Sequence, residues 1–252
     1  RALYATLPDT QRNQATCLDN AGNALVAIDE YAAAADRFDA ARALYATLPD
    51  TQQAQATCLH NAGAALGNMG EYAAAAGRYD AARALYATID DTQREQAICL
   101  DNTGNALEAM GEYAAAAGRY DAAFALYATL PDTQHDQATC LHNAGTALYA
   151  MGEYSAAAER YDAARALYAT LPDTQRNQAT CLDNAGNALV AIDEYAAAAD
   201  RFDAARALYA TLPDTQHDQA NCLHDAGNAL HAVGEHAAAT NRYYAAFALY
   251  AT

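Results

Sequence analysis

The sequence predicts an all-α solenoid built from six helix-turn-helix repeats. The first observation is a fixed period of 41 residues, followed by the cysteines and by one set of glycines: Cys17, Cys58, Cys99, Cys140, Cys181 and Cys222, and Gly22, Gly63, Gly104, Gly145, Gly186 and Gly227. A fixed period in this range is typical of solenoids, whose stacked units bury a shared core. The second observation is that apolar residues recur at helical steps of three and four. The third is that no stretch has the strict alternation of a strand.

The chain divides into six units of 41 residues, which we number repeats 1 to 6: 7–47, 48–88, 89–129, 130–170, 171–211 and 212–252. Residues 1–6 match Arg42–Thr47, so we expect them to form the end of a preceding second helix. Residues 1–252 are therefore treated as a single repeat array. Residues 1–52 are identical to residues 165–216, which indicates a duplication or a copied design.

Each repeat is expected to open with a turn and a long first helix. Leu7–Thr10 combines a proline with Asp9 and Thr10, residue types that break a chain and cap a helix. The first helix of repeat 1 is predicted over residues 11–28. Its apolar stripe consists of Leu18, Ala21, Leu25 and Ile28.

A short turn at Asp29–Glu30 is expected to separate the two helices of repeat 1. Glycine stands in place of Asp29 in four other repeats, which predicts a left-handed helix end that Asp tolerates less well. The second helix is predicted over residues 30–47, with Asp39 and Arg42 paired on its surface. Its apolar stripe consists of Tyr31, Ala34, Phe38, Ala41 and Tyr45. Because glycine inside a helix costs up to about 1 kcal/mol, the recurrence of Gly22 predicts close contact between helices.

The charge balance restricts the partners. The chain has 31 acidic and 14 basic residues, a formal net charge of −17, and every base is Arg. Nucleic-acid binding needs basic patches that neutralise phosphates, so we expect no nucleic-acid partner. An acidic surface attracts a basic partner, and it also simply keeps a protein in solution; both interpretations remain open. No apolar run is long enough for a membrane span, so we expect no membrane partner.

The cysteines are expected to be six free thiols. Stacked helical units place equivalent positions roughly 10 Å apart, the packing distance of helices. A disulfide needs Cα atoms within about 7 Å. We therefore expect each thiol to be a small packing group.

We expect no cofactor, no metal and no enzymatic activity. Cys-x-His occurs at 58–60, 140–142 and 222–224, but residues two apart on a helix point in different directions, and zinc takes four ligands. No glycine-rich phosphate loop follows a strand. Each candidate nucleophile recurs along the array, whereas catalysis needs one asymmetric set of residues.

A longer pattern connects these elements. In order along a repeat come Ala21-Gly22, then Gly70-Glu71-Tyr72 with four alanines, then Tyr79 with Asp-Ala-Ala-Arg-Ala-Leu, and a proline such as Pro49. The pattern resembles the tetratricopeptide repeat family over essentially the whole chain. The unit is longer than the family's usual length of about 34 residues, and in this it is similar to kinesin light chains and to scaffold proteins of spindle orientation. Leu18 and its equivalents stand where the family has Trp.

The resemblance implies a right-handed superhelix whose first helices line a concave groove for peptides. Carried over residue by residue, this groove has a ladder of amides that can bind a peptide main chain, since an amide both donates and accepts. The ladder consists of Asn20, Asn61, Asn102, Asn143 and Asn184, and ends in Asp225. A second line consists of Asn23, Asn105, Asn187 and Asn228. The alternative is that these side chains bond within the array.

Two further sets of positions face the same predicted groove. Acids and histidines alternate at Asp19, His60, Asp101, His142, Asp183 and His224. This alternation is either drift on a solvated face or a line whose binding varies around pH 6 to 7, where histidine titrates. Val26, Gly67, Glu108, Tyr149, Val190 and His231 vary strongly between repeats. Such variation fits a specificity surface, and it equally fits an unconstrained exposed position.

The sequence is compatible with two functions. The resemblance implies a non-enzymatic scaffold that binds an extended peptide or a partner helix in its groove. The alternative is a structural subunit that self-associates head-to-tail into a filament, because the sequence opens and closes at the same phase of a repeat. A designed or idealised repeat array is compatible with either function.

Overall fold

The computed structural model describes residues 8–251, which form twelve α-helices and no strand. The helices are α1 (Pro8–Val26), α2 (Tyr31–Tyr45), α3 (Gln52–Asn68), α4 (Tyr72–Tyr86), α5 (Gln93–Ala109), α6 (Tyr113–Tyr127), α7 (Gln134–Ala150), α8 (Tyr154–Tyr168), α9 (Gln175–Val190), α10 (Tyr195–Tyr209), α11 (Gln216–Ala232) and α12 (His236–Tyr250). The predicted all-α class is therefore confirmed. Residues 1–6, predicted to end a preceding helix, lie outside the described range. None of the described helices has the length and hydrophobicity to cross a lipid bilayer.

The helices form consecutive antiparallel pairs, one pair in each repeat. They fall into two compact units divided between Leu130 and Pro131, one with the helices of repeats 1–3 and the other with those of repeats 4–6. In repeat 1 the predicted helices at 11–28 and 30–47 are observed as Pro8–Val26 and Tyr31–Tyr45. The predicted break at Leu7–Thr10 is wrong for Pro8–Thr10, which form the first turn of α1. The last predicted residues of both helices leave the helix to form turns.

The turn within each repeat uses a left-handed residue, as predicted. Gly70 has φ +78°, and its equivalents have φ between +77° and +84°. Asp29 adopts the same conformation with φ +60°. Its carboxylate accepts a 2.5 Å hydrogen bond from the Tyr31 hydroxyl. Aspartate therefore holds this turn in repeat 1 with the help of a side-chain contact that glycine cannot make.

The turn between repeats differs from the prediction. Thr51 stands at the N-cap of α3, but its side chain makes no capping hydrogen bond. The Thr51 hydroxyl instead donates backward to the carbonyl of Tyr45 at 2.6 Å, and it lies 3.1 Å from that of Leu48. It therefore adds a second hydrogen bond at the Tyr45 carbonyl, which already accepts one from Leu48 N at 2.9 Å. Thr51, at the predicted cap position, is therefore a buried residue that connects repeat 2 to repeat 1 by a hydrogen bond.

The core is made of alanine and aromatic side chains shared between neighbouring repeats. One cluster joins Ala56 and Leu59 of α3, Tyr86 of α4 and Cys99 of α5. A Cβ atom added at Gly63 would lie 2.9 Å from the ring of Tyr79. The recurring glycine is therefore required by close contact, as predicted. The apolar stripe of the first helix is shorter than predicted, because Ile28, its predicted last residue, is 67% exposed.

Ion pairs connect the second helices of successive repeats. Asp39 accepts a 2.7 Å contact from Arg78, which is 39 residues later. The prediction that Asp39 pairs with Arg42 is wrong about the partner. Equivalent pairs with distances of 2.7–3.0 Å are Arg119–Asp80, Arg201–Asp162 and Arg242–Asp203.

Candidate functional site

The predicted asparagine ladder lies on the first helices, and two of its members bond within the array. Asn102 Nδ2 donates to His60 Nε2 at 3.0 Å, and Asn184 Nδ2 donates to His142 Nε2 at 3.0 Å. Each bond connects one repeat to the preceding one. These two amides are therefore partly engaged before any ligand arrives.

His60 is held in its neutral form. Its Nδ1 atom lies 3.5 Å from Asn61 Oδ1, while Nε2 accepts from Asn102. This places the ring proton on Nδ1. Burial lowers the pKa of His60 below its ordinary value, although the hydrogen bond to Asn61 acts in the opposite direction.

The aspartates of the alternating line accept hydrogen bonds from cysteines one repeat later. Cys58 Sγ donates to Asp19 at 3.7 Å, and Cys222 Sγ donates to Asp183 at 3.7 Å. Burial, followed by the nearby carboxylate of Asp225, raises the pKa of Asp183 to about 6. Burial and then the charge of Asp19 raise the pKa of the Cys58 thiol to about 12. All six cysteines are free, as predicted, but Cys17 is exposed while the other five are buried.

Tyrosines of the second helices bond to the second asparagine line. The Tyr120 hydroxyl lies 2.8 Å from both Asn105 Oδ1 and Glu108 Oε2. The Tyr243 hydroxyl donates to Asn228 at 3.0 Å. In contrast, Asn187 donates to the carbonyl of Asp183 in its own helix at 3.0 Å.

The remaining predicted site residues differ in solvent exposure and in their contacts. Asn20 and Asn23 are exposed, and His224 lies 3.3 Å from Asp225 at an exposed edge. Val26 packs against a buried cluster that includes Phe38. The half-buried members are Asn61, Asp101 and Asn143, and Tyr149 is exposed with its ring 5.0 Å from that of Tyr154.

Repeats 2 and 3 line an open cavity of about 280 Å³. Its walls come from α3, α4 and α5: Ala64, Gly67, Asn68, Tyr72, Ala75, Tyr79, Asn102, Asn105 and Ala106. Two small residues open it. Ala64 stands where the other repeats have Asn or Thr, and Gly67 stands where they have Val, Glu, Tyr or His. Sequence reasoning had placed Asn102 and Asn105 in a groove but missed this opening.

Tyr79 lies in the cavity wall without a hydrogen-bond partner among residues 8–251. Its equivalents Tyr120, Tyr161 and Tyr243 each bond to the residue 15 positions earlier. For Tyr79 that residue is Ala64, which has no polar atom. Tyr79 is 7% exposed, and burial, then the charge of Cys99, raises the pKa of its hydroxyl to about 12. The cavity therefore contains a protonated hydroxyl with unused hydrogen-bonding capacity. The sequence signal for this unpaired hydroxyl was Ala64, 15 positions before Tyr79, where the other repeats have Asn or Thr.

Within the described residues, no group of three or more His, Cys, Asp or Glu side chains could hold a metal ion.

Comparison with known proteins supports the repeat assignment. A family model described as tetratricopeptide repeat matches residues 95–170, which belong to repeats 3 and 4. No curated protein sequence matches the chain.

Solved structures share the fold at low sequence identity. The apo form of RapI superposes with a TM-score of 0.70 and 11% identity, covering 93% of this chain and 97% of that one. A Podosopora anserina protein described as a kinesin light chain with nearly identical repeats gives a TM-score of 0.63 and 17% identity, covering 79% and 96%. YrrB, described as a repeat protein with an unusual peptide-binding site, gives 0.57 and 18%, covering 77% and 86%. The predicted similarity to kinesin light chain repeats is confirmed at the level of the fold, whereas the assignment to a variant with units of about 41 residues stays a prediction. Residues 95–170 match the tetratricopeptide repeat family model, and the described helices form an all-α repeat fold like that of these solved structures.

Proposed function

We propose that the chain is a non-catalytic scaffold that binds a basic peptide along its first helices. The observation that carries the proposal is the cavity between α3, α4 and α5, with the unpartnered Tyr79 hydroxyl in its wall. Because no side chain of the described residues bonds to the Tyr79 hydroxyl, a ligand atom in the cavity can form a hydrogen bond with it, and such a bond contributes about 1 kcal/mol net. The peptide-binding site named for YrrB shows that this fold can carry such a site.

The walls indicate which side chain would enter. Ala64, Ala75 and Ala106 offer apolar contact, while Asn102 and Asn105 provide amides at the same cavity. The chain's net charge of −17 favours a cationic ligand over an anionic one. We therefore propose that a long side chain with a donor at its tip, Arg, Lys or Gln, inserts here. Its tip would donate to the Tyr79 hydroxyl oxygen.

The rest of the peptide would contact the predicted groove. Asn20 and Asn23 are exposed and offer main-chain hydrogen bonds. Asn102 and Asn184 already donate to histidines, so they would offer a peptide mainly their oxygen atoms.

The test begins with a random dodecapeptide display library selected on the immobilised full chain. We expect the selected peptides to be enriched in Arg and Lys. Affinity of one selected peptide is then measured by calorimetry for the wild-type chain, Ala64→Asn and Tyr79→Phe. Ala64→Asn fills the cavity and gives Tyr79 the partner found in repeat 3, so affinity should fall at least tenfold. Tyr79→Phe removes one hydrogen bond, and we expect about a fivefold loss.

Tyr161→Phe is the matched control, because the Tyr161 hydroxyl is already bonded to Thr146 at 3.2 Å. It should leave affinity unchanged. Phe occupies the equivalent place in repeats 1 and 5, so both Phe variants should fold. Unchanged affinity in both Ala64→Asn and Tyr79→Phe would refute the cavity as the anchor. Selection of acidic peptides, or of none, would refute the basic ligand.

Self-association remains the second candidate function. On α12, Tyr244 is 71% exposed and Phe247 is 72% exposed. The equivalent residues of repeat 5 are Asp203, which pairs with Arg242, and Arg206. Light scattering over a hundredfold concentration range tests this candidate by comparing the mass of the wild-type chain with that of the variant Tyr244→Asp/Phe247→Arg. A wild-type mass that stays monomeric throughout would end it.

A further inference from the structure

Repeat 6 carries a pair of histidines that converge across the turn between its helices. His231 lies in the last turn of α11, and His236 is the first residue of α12. Their Nδ1 atoms are 3.2 Å apart, and their ring centroids are 4.9 Å apart. The pair occurs in no other repeat: repeat 4 has Tyr149 and Tyr154 at these positions.

The distance fits two ligands of one transition-metal ion. Two imidazole nitrogens about 2.0–2.1 Å from a zinc ion lie about 2.9 Å apart at a right angle and about 3.3 Å apart at the tetrahedral angle. The observed 3.2 Å falls between these values. Without an ion this contact is a hydrogen bond between the two Nδ1 atoms, so one of them carries a proton that an ion bound by both atoms would replace.

The backbone under the pair is held in place by hydrogen bonds. Gly234 N donates to the carbonyl of His231 at 3.0 Å, and Glu235 N donates to Leu230 at 2.9 Å. The Thr240 hydroxyl donates to the carbonyl of His236 at 2.8 Å. Since both Cα atoms are fixed before binding, little conformational entropy is lost when an ion joins the two rings.

We propose that His231 and His236 bind one divalent transition-metal ion, such as Zn²⁺ or Ni²⁺, through their Nδ1 atoms. Imidazole is a preferred ligand of these ions. Each ring is neutral in the complex, with its proton on the exposed Nε2 atom. Water fills the other coordination positions, because the site supplies only two side chains. The ion connects the end of α11 to the start of α12, so it stabilises this helix pair.

The test is a calorimetric titration of the full, tag-free chain with Zn²⁺ and, separately, with Ni²⁺. The variant His231→Tyr/His236→Tyr copies the tyrosine pair of repeat 4, so it should fold. We expect at least a tenfold loss of affinity for this variant, and a rise in the thermal unfolding midpoint on adding Zn²⁺ to the wild-type chain only. His135→Gln is the matched control, with Gln53 as its equivalent in repeat 2, and it should bind like wild type.

Two further variants distinguish the histidine pair from other side chains that could bind the metal ion. Cys17→Ala removes the exposed thiol, and it should leave the binding assigned to the histidine pair intact. Tyr149→His/Tyr154→His transplants the pair into repeat 4, where we expect a second equivalent of Zn²⁺. Metal-induced ¹⁵N shifts should be largest at the two Nδ1 atoms. Equal Zn²⁺ affinity in the wild-type chain and His231→Tyr/His236→Tyr would overturn the proposal, as would loss of all binding in Cys17→Ala.

Discussion

Asn102 donates a 3.0 Å hydrogen bond to His60, one repeat earlier in the chain. The bond uses the amide that the peptide ladder was predicted to offer, and it fixes the tautomer of a half-buried imidazole. A residue predicted to serve a ligand therefore also holds two repeats together.

Replacing Asn102 by Ala should destabilise repeats 1–3. His60 Nε2 would lose its donor while staying half-buried, so we expect a loss of about 1–2 kcal/mol in unfolding free energy. Urea denaturation followed by circular dichroism measures the change. Asn20→Ala is the control, since Asn20 is exposed and its loss should stay within about 0.5 kcal/mol. Equal shifts in the two variants would mean that the inter-repeat bond contributes nothing.

Two glycines of repeat 3 should respond to alanine with opposite signs. A Cβ at Gly104 would lie 2.6 Å from the ring of Tyr120, whereas a Cβ at Gly118 meets nothing within 4 Å. Gly104→Ala should cost about 1–3 kcal/mol through overpacking. Gly118→Ala should add about 0.5–1 kcal/mol, because alanine is the better helix former. Thermal unfolding of both variants decides the matter, and shifts of the same sign would contradict the packing shown here.

Asp183 should make stability depend on pH. Its pKa is raised to about 6, above the unfolded value of about 3.9, so in this interval the folded chain keeps a proton that the unfolded chain releases. Ionised Asp183 therefore destabilises the fold fully above about pH 6, and the penalty fades as pH falls toward about 4. Asp183→Asn should add on the order of 2 kcal/mol at pH 7.5 and little at pH 4.

Two further variants distinguish burial from the neighbouring carboxylate as causes of the raised pKa of Asp183. Asp225→Asn removes the neighbouring carboxylate and should lower the pKa of Asp183, which carbon-detected NMR titration measures directly. Asp19→Asn changes the residue of repeat 1 that is equivalent to Asp183. Because Asn61 stands there in place of Asp225, Asp19→Asn should stabilise the chain less than Asp183→Asn does. A pH profile of Asp183→Asn parallel to that of wild type would refute the assignment.

The thiols should react in two classes. Burial raises the pKa of Cys58, Cys99 and Cys181 to about 12, and thiolate is the reactive form. Cys17 is exposed, so a chromogenic disulfide reagent at pH 8 should label one thiol quickly in the native chain. In denaturant without reductant it should label all six. Fewer than six would reveal a disulfide.

Much of the fold follows from the period and the turn residues. The 41-residue period is visible in the sequence itself. The positive φ at Gly70 and the close contact at Gly63 each favour glycine, so the sequence predicted both. It assigned Asp39 to Arg42 because residues three apart on a helix are neighbours. In a repeat, however, an arginine 39 residues later is an equally regular partner, and only the packing of second helices selects Arg78.

The site was less predictable for a related reason. Family resemblance placed the asparagines on the first helices, where the structure has them, but each bonding partner depends on inter-repeat distances that a period does not supply. The cavity depends on what is missing from one repeat: a polar atom at Ala64 and a side chain at Gly67. The histidine pair depends on two positions that only the turn of repeat 6 brings to 3.2 Å.

The unpartnered Tyr79 has a consequence for register. A ligand that lies along near-identical units binds almost equally well when it slides by one unit, because each unit presents the same groups. Translational degeneracy of this kind gives affinity without a defined position. The alanine that faces Tyr79 breaks the degeneracy at a single place, and a bound chain anchored there would have a unique alignment.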